Sequence, residues 1–350
     1  MEITGAQILV EGLLREGVEK IFGYAGATIC PLADVLRATP QLDYTLVRNE
    51  QNAGHMASGY ARVTGKVGVC IVTSGPGATN LLTGIATAYM DSIPLVAFTG
   101  QVPSNLLGRD IFQEVDITGA ASPFSKHSYL VKDAADLPQI ISEAFYIAST
   151  GRPGPVLIDF LKNVTAPDQM VEYEFIPWQK NRGCESIRSL NASHSLKNPE
   201  PDRQDVDKLL EMIRHAERPF LICGGGVVRG RAHKEFREFA EKLDAPVAIT
   251  VMGGGGFPGA HPLTTGMIGM HGSQASNVAT SECDLLIAVG CRFSDRVASD
   301  PASFAAQAKI VQIDIDRAEI DKNVKTDHHI IGDARRVLEL LNEKLPAHDY

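Results

Sequence analysis

The stretch Val67-Gly68-Val69-Cys70-Ile71-Val72-Thr73-Ser74-Gly75-Pro76-Gly77-Ala78-Thr79-Asn80 decides the fold. Its first seven residues are mostly apolar and β-branched, which suits a strand buried on both faces of a parallel sheet. Ser74-Gly75-Pro76-Gly77 breaks that run, and a helix-like segment follows through Tyr89. Two glycines at a strand-to-helix turn let backbone amides approach a ligand at a helix N-terminus. The same glycines also fit a tight turn that binds nothing. The string is not G-x-G-x-x-G, because Asn80 fills the last position, and no Gly-Lys-Ser/Thr follows it as in a Walker loop.

Outward from this turn the first half alternates helix and strand. Leu9, Val10, Leu13, Leu14, Val18 and Ile21 recur at helical spacing, and Gly23 to Pro31 reads as a loop. Tyr44–Val47, Pro94–Thr99 and Val156–Ile158 read as strands, and Glu50–Val63 and residues 136–149 as helices. Residues 167–203 are polar and irregular, with Pro167, Pro177, Pro199 and Pro201, and read as a linker. Beyond it the rhythm resumes. Phe220–Cys223, Pro246–Val251, Leu285–Val289 and Ile310–Ile315 are strand candidates; Ala232–Leu243 and Ala334–Leu345 are helix candidates. The expected fold class is α/β, with two doubly wound parallel-sheet domains at 1–166 and 204–346.

Composition narrows the function classes. The 350 residues are 44% hydrophobic and 21% charged, too apolar and too evenly mixed for disorder. Lys and Arg number 33 against 42 acidic residues, a net charge of −9 with no basic tract, which argues against nucleic acid or an anionic membrane surface as partner. No apolar run reaches the about 18 residues of a membrane span. The start, Met1-Glu2-Ile3-Thr4-Gly5, lacks the pattern of a secretory signal. None of Cys30, Cys70, Cys184, Cys223, Cys283 and Cys291 forms a C-x-x-C pair, so buried free thiols in a reducing cytoplasm are expected.

Three groups of residues carry candidate chemistry. Arg48-Asn49-Glu50-Gln51 sits where a short strand meets a helix; Glu50 either favours the helix dipole or, partly buried, hydrogen-bonds a heterocycle. Gly224-Gly225-Gly226 and Gly253–Gly256 directly follow strands, where open α/β sheets bind ligands. Gly290 to Arg296 and Asp314-Ile315-Asp316 also follow strands; their arginines could pair with a diphosphate and their acids with ribose hydroxyls, or simply with each other. Gly269-Met270-His271-Gly272 is a further glycine cluster. His55, His127 and His271 do not stand at metal-ligand spacings, and His127 and His271 read as structural.

In order along nearly the whole chain, these motifs resemble the catalytic large subunit of acetolactate synthase, a thiamine-diphosphate enzyme. The carrying segments are Phe22-Gly23-Tyr24, Arg48 to Gln51, Thr73 to Asn80, Gly100-Gln101-Val102-Pro103, Phe112-Gln113-Glu114, Lys126-His127, Gly151 to Val156, Gly266 to Gly272 and Arg292 to Arg296. The resemblance implies a pyrimidine-binding domain followed by a central domain of FAD type. It implies that Glu50 hydrogen-bonds the pyrimidine ring nitrogen of the cofactor. Tyr24, Gly26, Pro76 and Asn80 would border the ring, and Gln113 and Lys126 the substrate channel. Arg152, Gly224, Gly225, Thr250, Met252, His271, Gly290, Arg292, Arg296 and Asp314 match positions of a structural flavin site.

The implied reaction is decarboxylation of pyruvate and transfer of the two-carbon unit to a second 2-oxoacid, in branched-chain amino acid biosynthesis. The implied assembly is a homodimer, with a regulatory small subunit or a separate diphosphate-binding chain as further partners. The sequence departs from the family in four places: Ala25-Gly26-Ala27-Thr28 for Pro-Gly-Gly-Ala, Leu161-Lys162-Asn163-Val164 for Pro-Lys-Asp-Val, Asn49 for histidine and Asn52 for alanine. A methyl on Ala27 narrows a place where glycine allows close approach. No Gly-Asp-Gly occurs, and Gly332-Asp333-Ala334 is the nearest string. The family's diphosphate-binding domain, which holds Mg²⁺, is therefore expected to be absent, leaving only the pyrimidine half of the cofactor held. The competing readings are a non-catalytic flavin-binding or assembly module, and a sister carboligase or decarboxylase such as glyoxylate carboligase.

Overall fold

The computed structural model describes residues 2–173 and 198–346. The chain divides into two compact units, 1–196 and 197–350.

Unit 1 contains strands β1 (Glu2–Thr4), β2 (Lys20–Tyr24), β3 (Asp43–Leu46), β4 (Gly68–Val72), β5 (Leu95–Gln101), β6 (His127–Val131), β7 (Pro155–Leu161) and β8 (Met170–Glu172). Its helices are α1 (Gly5–Arg15), α2 (Cys30–Arg37), α3 (Glu50–Thr64), α4 (Pro76–Met90), α5 (Ile117–Ala121) and α6 (Leu137–Ser149). Six strands form one parallel sheet in the order β3-β2-β4-β5-β7-β6. One face packs on α1, α2 and α6 through residues such as Leu9, Leu13, Leu36 and Ile141. The other packs on α3, α4 and α5 through Ala53, Ala57, Leu81 and Ile117. Burial on both faces explains why β4 reads as one continuous apolar run. A separate two-stranded antiparallel ladder pairs β1 with β8, with Glu2 opposite Glu172.

Unit 2 contains β9 (Pro219–Cys223), β10 (Val247–Ile249), β11 (Thr264–Met267), β12 (Leu285–Val289), β13 (Lys309–Asp314) and β14 (His328–Ile331). They form a parallel sheet in the order β11-β10-β9-β12-β13-β14. Helices Arg203–His215, His233–Leu243 and Ala334–Lys344 cover one face through Leu209, Phe236, Phe239 and Leu338. Helix Gln274–Glu282 joins the opposite face, where Phe220, Leu286 and Phe293 are buried. Both units are thus doubly wound parallel sheets, as the alternation of elements implies.

Six strands escape the sequence reading: β1, β2, β6, β8, β11 and β14. β6, β11 and β14 lie at sheet edges and β1 and β8 form the separate two-stranded ladder, where half-exposure removes the unbroken apolar run that marks an inner strand. β2 is an inner strand, but Val18 and Ile21 fall at the helical spacing of the preceding segment, although α1 ends at Arg15, and Gly23, expected to open a loop, lies within the strand. The stretch 167–203 expected as a linker opens with β8, held to unit 1 by its ladder with β1. Arg203 already begins a helix, N-capped by Asp202. Residues 174–197 of that stretch, Cys184 among them, lie outside the described residues. The five described cysteines are free thiols; Cys70, Cys223, Cys283 and Cys291 are buried as expected, but Cys30, at the start of α2, is exposed. Burial pushes Cys70, Cys223 and Cys291 up to about 12.

Candidate functional site

Ligands of open α/β sheets sit at the carboxyl ends of the strands where the strand order reverses. In unit 1 one such reversal lies between β2 and β4. Glu50 opens α3 at this edge, directly after β3. Asn49 supplies the cap, its Oδ1 accepting from the Gln51 amide at 2.9 Å. The Glu50 side chain is buried, 8% exposed. Asn80, one turn into α4, donates from Nδ2 to Glu50 Oε2 at 3.0 Å. Among the described residues none donates to Oε1, which stands 3.4 Å from where a Cβ on Gly77 would lie. Glycine at 77 therefore leaves one face of the carboxylate uncovered.

The turn before α4 is held in a shape that only glycine adopts readily: Gly75 has φ 58° and ψ −119°. Pro76 then fills the first helical turn, where its missing N–H costs nothing. Gln113 also has positive φ, 60°. It lies against this turn, since a Cβ on Gly75 would be 2.8 Å from the Gln113 Cα, Cβ and O. Gly26 meets the same turn, its own missing Cβ facing the Thr73 side chain at 2.5 Å. Tyr24 ends β2 at this edge and is exposed. Tyr24, Gly26, Glu50, Pro76, Asn80 and Gln113 are thus brought to one edge of one sheet.

Lys126, expected at the substrate channel, is not: it precedes β6, at the amino ends of the strands, the opposite edge from Glu50. Arg152, expected at the flavin site, precedes β7 at that same amino edge. The Lys126 ammonium donates to the Thr150 carbonyl at 2.6 Å and to the Ile147 carbonyl. It therefore sits where a cation favours the C-terminus of α6. Arg152 donates from Nε to Ser92 Oγ at 2.8 Å. His127 stacks edge-on against Tyr129, and burial lowers its pKa.

In unit 2 the reversal lies between β9 and β12. Gly224 and Gly225 follow β9, and Gly290 follows β12 with φ 59°. The Gly224 amide donates to the Val289 carbonyl at 2.9 Å, and Gly226 to Gly290 at 3.0 Å. A Cβ on Gly224 would overlap the Gly290 carbonyl oxygen. Thr250 is buried; its amide bonds the Cys223 carbonyl and its hydroxyl accepts from Gly253. Met252 faces Gly225, 3.1 Å from that residue's missing Cβ. Asp314 ends β13, buried, next to the Ile313 carbonyl that accepts from Gly290. Arg292 is half-buried just beyond Gly290. His271 and Arg296 are exposed on neighbouring loops, joined by the Met270 amide bonding the Arg296 carbonyl at 2.9 Å. Among the described residues no group of three or more His, Cys, Asp or Glu side chains is arranged to hold a metal ion.

Several features of unit 1 are invisible as motifs. Thr28, a departure from the family pattern, is buried; its hydroxyl lies 2.9 Å from Thr73 Oγ1 and accepts from the Ser74 amide at 3.2 Å. Ala27 is exposed and keeps negative φ, so its methyl strains nothing. The Ser74 hydroxyl is buried without a hydrogen-bond partner among the described residues. Asp159 lies inside β7, 1% exposed, and burial raises its pKa to about 7 against hydrogen bonds from Thr99 and Gln101. The signal for Asp159 was one acid set in the apolar strand Val156 to Phe160. Asn163, another departure, accepts from the Ser104 amide at 3.0 Å.

Residues 3–120 match the thiamine pyrophosphate enzyme N-terminal TPP binding domain, and residues 206–341 match the thiamine pyrophosphate enzyme central domain. Acetolactate synthase of Arthrospira platensis is 47% identical over 343 residues, covering 96% of this chain and 57% of that protein. The acetolactate synthase large subunit of Corynebacterium glutamicum is 46% identical, covering 99% of this chain and 53% of that protein. Acetolactate synthase isozyme 3 large subunit of Escherichia coli is 42% identical, covering 98% and 58%. The chain thus spans about half the length of the curated relatives it matches. With both units matched in chain order, the chain belongs to the thiamine pyrophosphate enzyme family and carries its N-terminal TPP binding domain and its central domain.

Proposed function

We propose that the carboxyl edge of unit 1 binds the aminopyrimidine half of thiamine diphosphate, and that the chain supplies the first two domains of an acetolactate synthase. The observation that carries this reading is the Glu50 carboxylate. It is pinned by Asn80 through one oxygen and open at the other, beneath a glycine, in a chain 42–47% identical to acetolactate synthases. The residues fit the group. A buried carboxylate with one oxygen uncommitted matches a ring nitrogen that carries or gives up a proton, and the unpartnered Ser74 hydroxyl leaves a further polar atom at the same turn.

When bound, thiamine diphosphate supplies the electron sink for loss of carbon dioxide from a 2-oxoacid such as pyruvate. The chain's own part is positional and protonic. Glu50 Oε1 holds a proton against the ring nitrogen, and Asn80 fixes Oε2 so that the carboxylate cannot turn away. Tyr24, Gly26 and Pro76 border the ring, and Gln113 closes the turn side, facing the 2-oxoacid. Diphosphate and Mg²⁺ would be held by the kind of domain that fills the rest of the relatives' length.

Lys126 lies on the opposite edge, so its place at the channel calls for a second chain, and with it a homodimer that holds the cofactor between chains; Arg152 goes with the flavin site. Relatives named as large subunits support a small-subunit partner, and the free thiols suit a cytoplasmic setting. The second reversal point fits a flavin held for structure: Gly224, Gly225 and Gly290 present bare backbone, Thr250 and Met252 floor the turn, and Asp314 and Arg292 flank it.

Binding isotherms test the reading. Thiamine diphosphate should bind the chain with its partner domain, Glu50→Gln should weaken binding, and purified protein should show a flavin absorption band. Mixing with a separately made diphosphate-binding domain should yield thiamine-dependent acetolactate from pyruvate. Flavin without thiamine diphosphate binding would favour the assembly-module reading instead.

A further inference from the structure

A second polar cluster lies inside unit 1 and has no part in the reading above. Thr99 and Gln101 on β5 and Asp159 on β7 share the sheet face under α5, with Thr99 directly opposite Asp159 in the ladder. The Thr99 hydroxyl donates to Asp159 Oδ1 at 2.7 Å. Gln101 divides its amide: Nε2 donates to Asp159 Oδ2 at 3.0 Å and to the Val115 carbonyl at 2.7 Å, while Oε1 accepts from the Val102 amide at 2.9 Å. Every polar atom of the Gln101 amide is engaged, so its rotamer is fixed. All three side chains are buried, at 0%, 3% and 1% exposure.

The Val115 carbonyl lies two residues beyond Gln113, whose left-handed backbone is uncommon for a residue with a Cβ and persists only where its surroundings over-determine it. One clamp lies on each side of it. The Glu114 carboxylate accepts from the amides of Gly108, Arg109 and Ile111, which fixes the approach. The Gln101 amide fixes the exit, and Asp159 fixes Gln101. A buried carboxylate that meets only two donors among the described residues is costly. Burying it there is explained if it holds something that an apolar residue could not.

We infer that Asp159, acting through Gln101, is a positioning residue that sets Gln113 against the Gly75 turn beside Glu50. The inference rests on the proposed cofactor reading for its purpose, but its geometry stands on this chain alone. Asp159→Leu removes one of the three hydrogen bonds that hold the Gln101 amide and so loosens its grip on the Val115 carbonyl. Asp159→Asn keeps a carbonyl oxygen for Gln101 and an amide that Thr99 can accept from.

The test is amide hydrogen exchange of residues 113–117 in the full 350-residue chain, read beside its melting temperature and its affinity for thiamine diphosphate with the partner domain. Asp159→Leu should speed exchange in that segment by about tenfold and weaken thiamine diphosphate binding by about fivefold, with no fall in melting temperature, because an apolar side chain replaces a buried acid. Asp159→Asn should restore both to within about twofold of wild type. Should Asp159→Leu fail to fold, Gln101→Met carries the same expectation, leaving Thr99 bonded to Asp159. Unchanged exchange in a folded Asp159→Leu or Gln101→Met overturns the inference, as does an Asp159→Asn variant as loose as the leucine one. Absence of thiamine diphosphate binding in wild type overturns the cofactor reading alone, and the exchange result still decides the positioning role.

Discussion

The two units build their strand-order reversals from opposite materials. In unit 1 the reversal is lined by side chains: Thr28 against Thr73, Glu50 against Asn80, and a buried Ser74 hydroxyl. In unit 2 it is lined by backbone: Gly224 and Gly226 against Gly290, with no side chain between them. Carboxylates and amides at fixed distances can hold and pass a proton. Bare peptide groups can only cradle. The same fold thus presents one edge suited to chemistry and one suited to holding an extended ligand.

The sharpest way to break this comparison is to put side chains where backbone meets backbone. Gly224→Val should destabilise unit 2 by more than about 4 kcal/mol, since its Cβ overlaps the Gly290 carbonyl, and should leave unit 1 folded. Two separate calorimetric transitions, one shifted and one not, would show this. The next effect belongs to Asp159. In the folded chain its carboxyl keeps its proton up to about pH 7, whereas in the unfolded chain the proton leaves near 3.8. The unfolded state therefore binds fewer protons between those values. Stability supplied by this group is full below about pH 4 and is lost as pH rises to about 7, by on the order of 4 kcal/mol. Urea midpoints of wild type minus Asp159→Asn across pH 4–8 isolate it.

At the first reversal, Glu50→Gln should cut thiamine-dependent turnover by about 100-fold or more while leaving the melting temperature within a few degrees. A large fall in melting temperature would make Glu50 a stabilising residue and dissolve the contrast between the units. The smallest effect is Thr28→Ala, which removes the bonds to Thr73 and the Ser74 amide and should cost about 1 kcal/mol, measured by chemical denaturation.

Every inner strand but β2 is legible, because burial on both faces writes itself as an unbroken apolar run, as in Val67 to Thr73. The residues gathered at the carboxyl edge of unit 1 are legible because the strand-to-helix turn at Gly75 and the acid at Glu50 sit within short stretches. Motif order, however, does not say which edge of a sheet a residue occupies. Lys126 and Arg152 were grouped with functional sites but lie at the amino ends of their strands. The departures from the family pattern were illegible for another reason: their partners are distant in sequence. Thr28 answers to Thr73, 45 residues on, and Asn163 to Ser104, 59 residues back. Asn49 is the exception, since a cap is local and asparagine is among the best residues for it. Asp159 is hard to see because it follows Ile158, where the apolar run that marks the strand is broken by the acid itself, although β7 continues to Leu161.

The ladder between β1 and β8 has a mechanical consequence. Its strands run antiparallel, and Glu2 and Glu172 face each other at the rung nearest both outward-leading ends. A pull applied across those two residues loads one rung at a time, as a zip opens, rather than shearing all three together. The first rung to part is also the weakest, because it sets two carboxylates side by side. Tension arriving along the segment after residue 173 would first have to draw the buried Tyr173 out of the unit 1 core and would then peel this small tab. The parallel sheet that positions Glu50 would feel it only after the tab had opened.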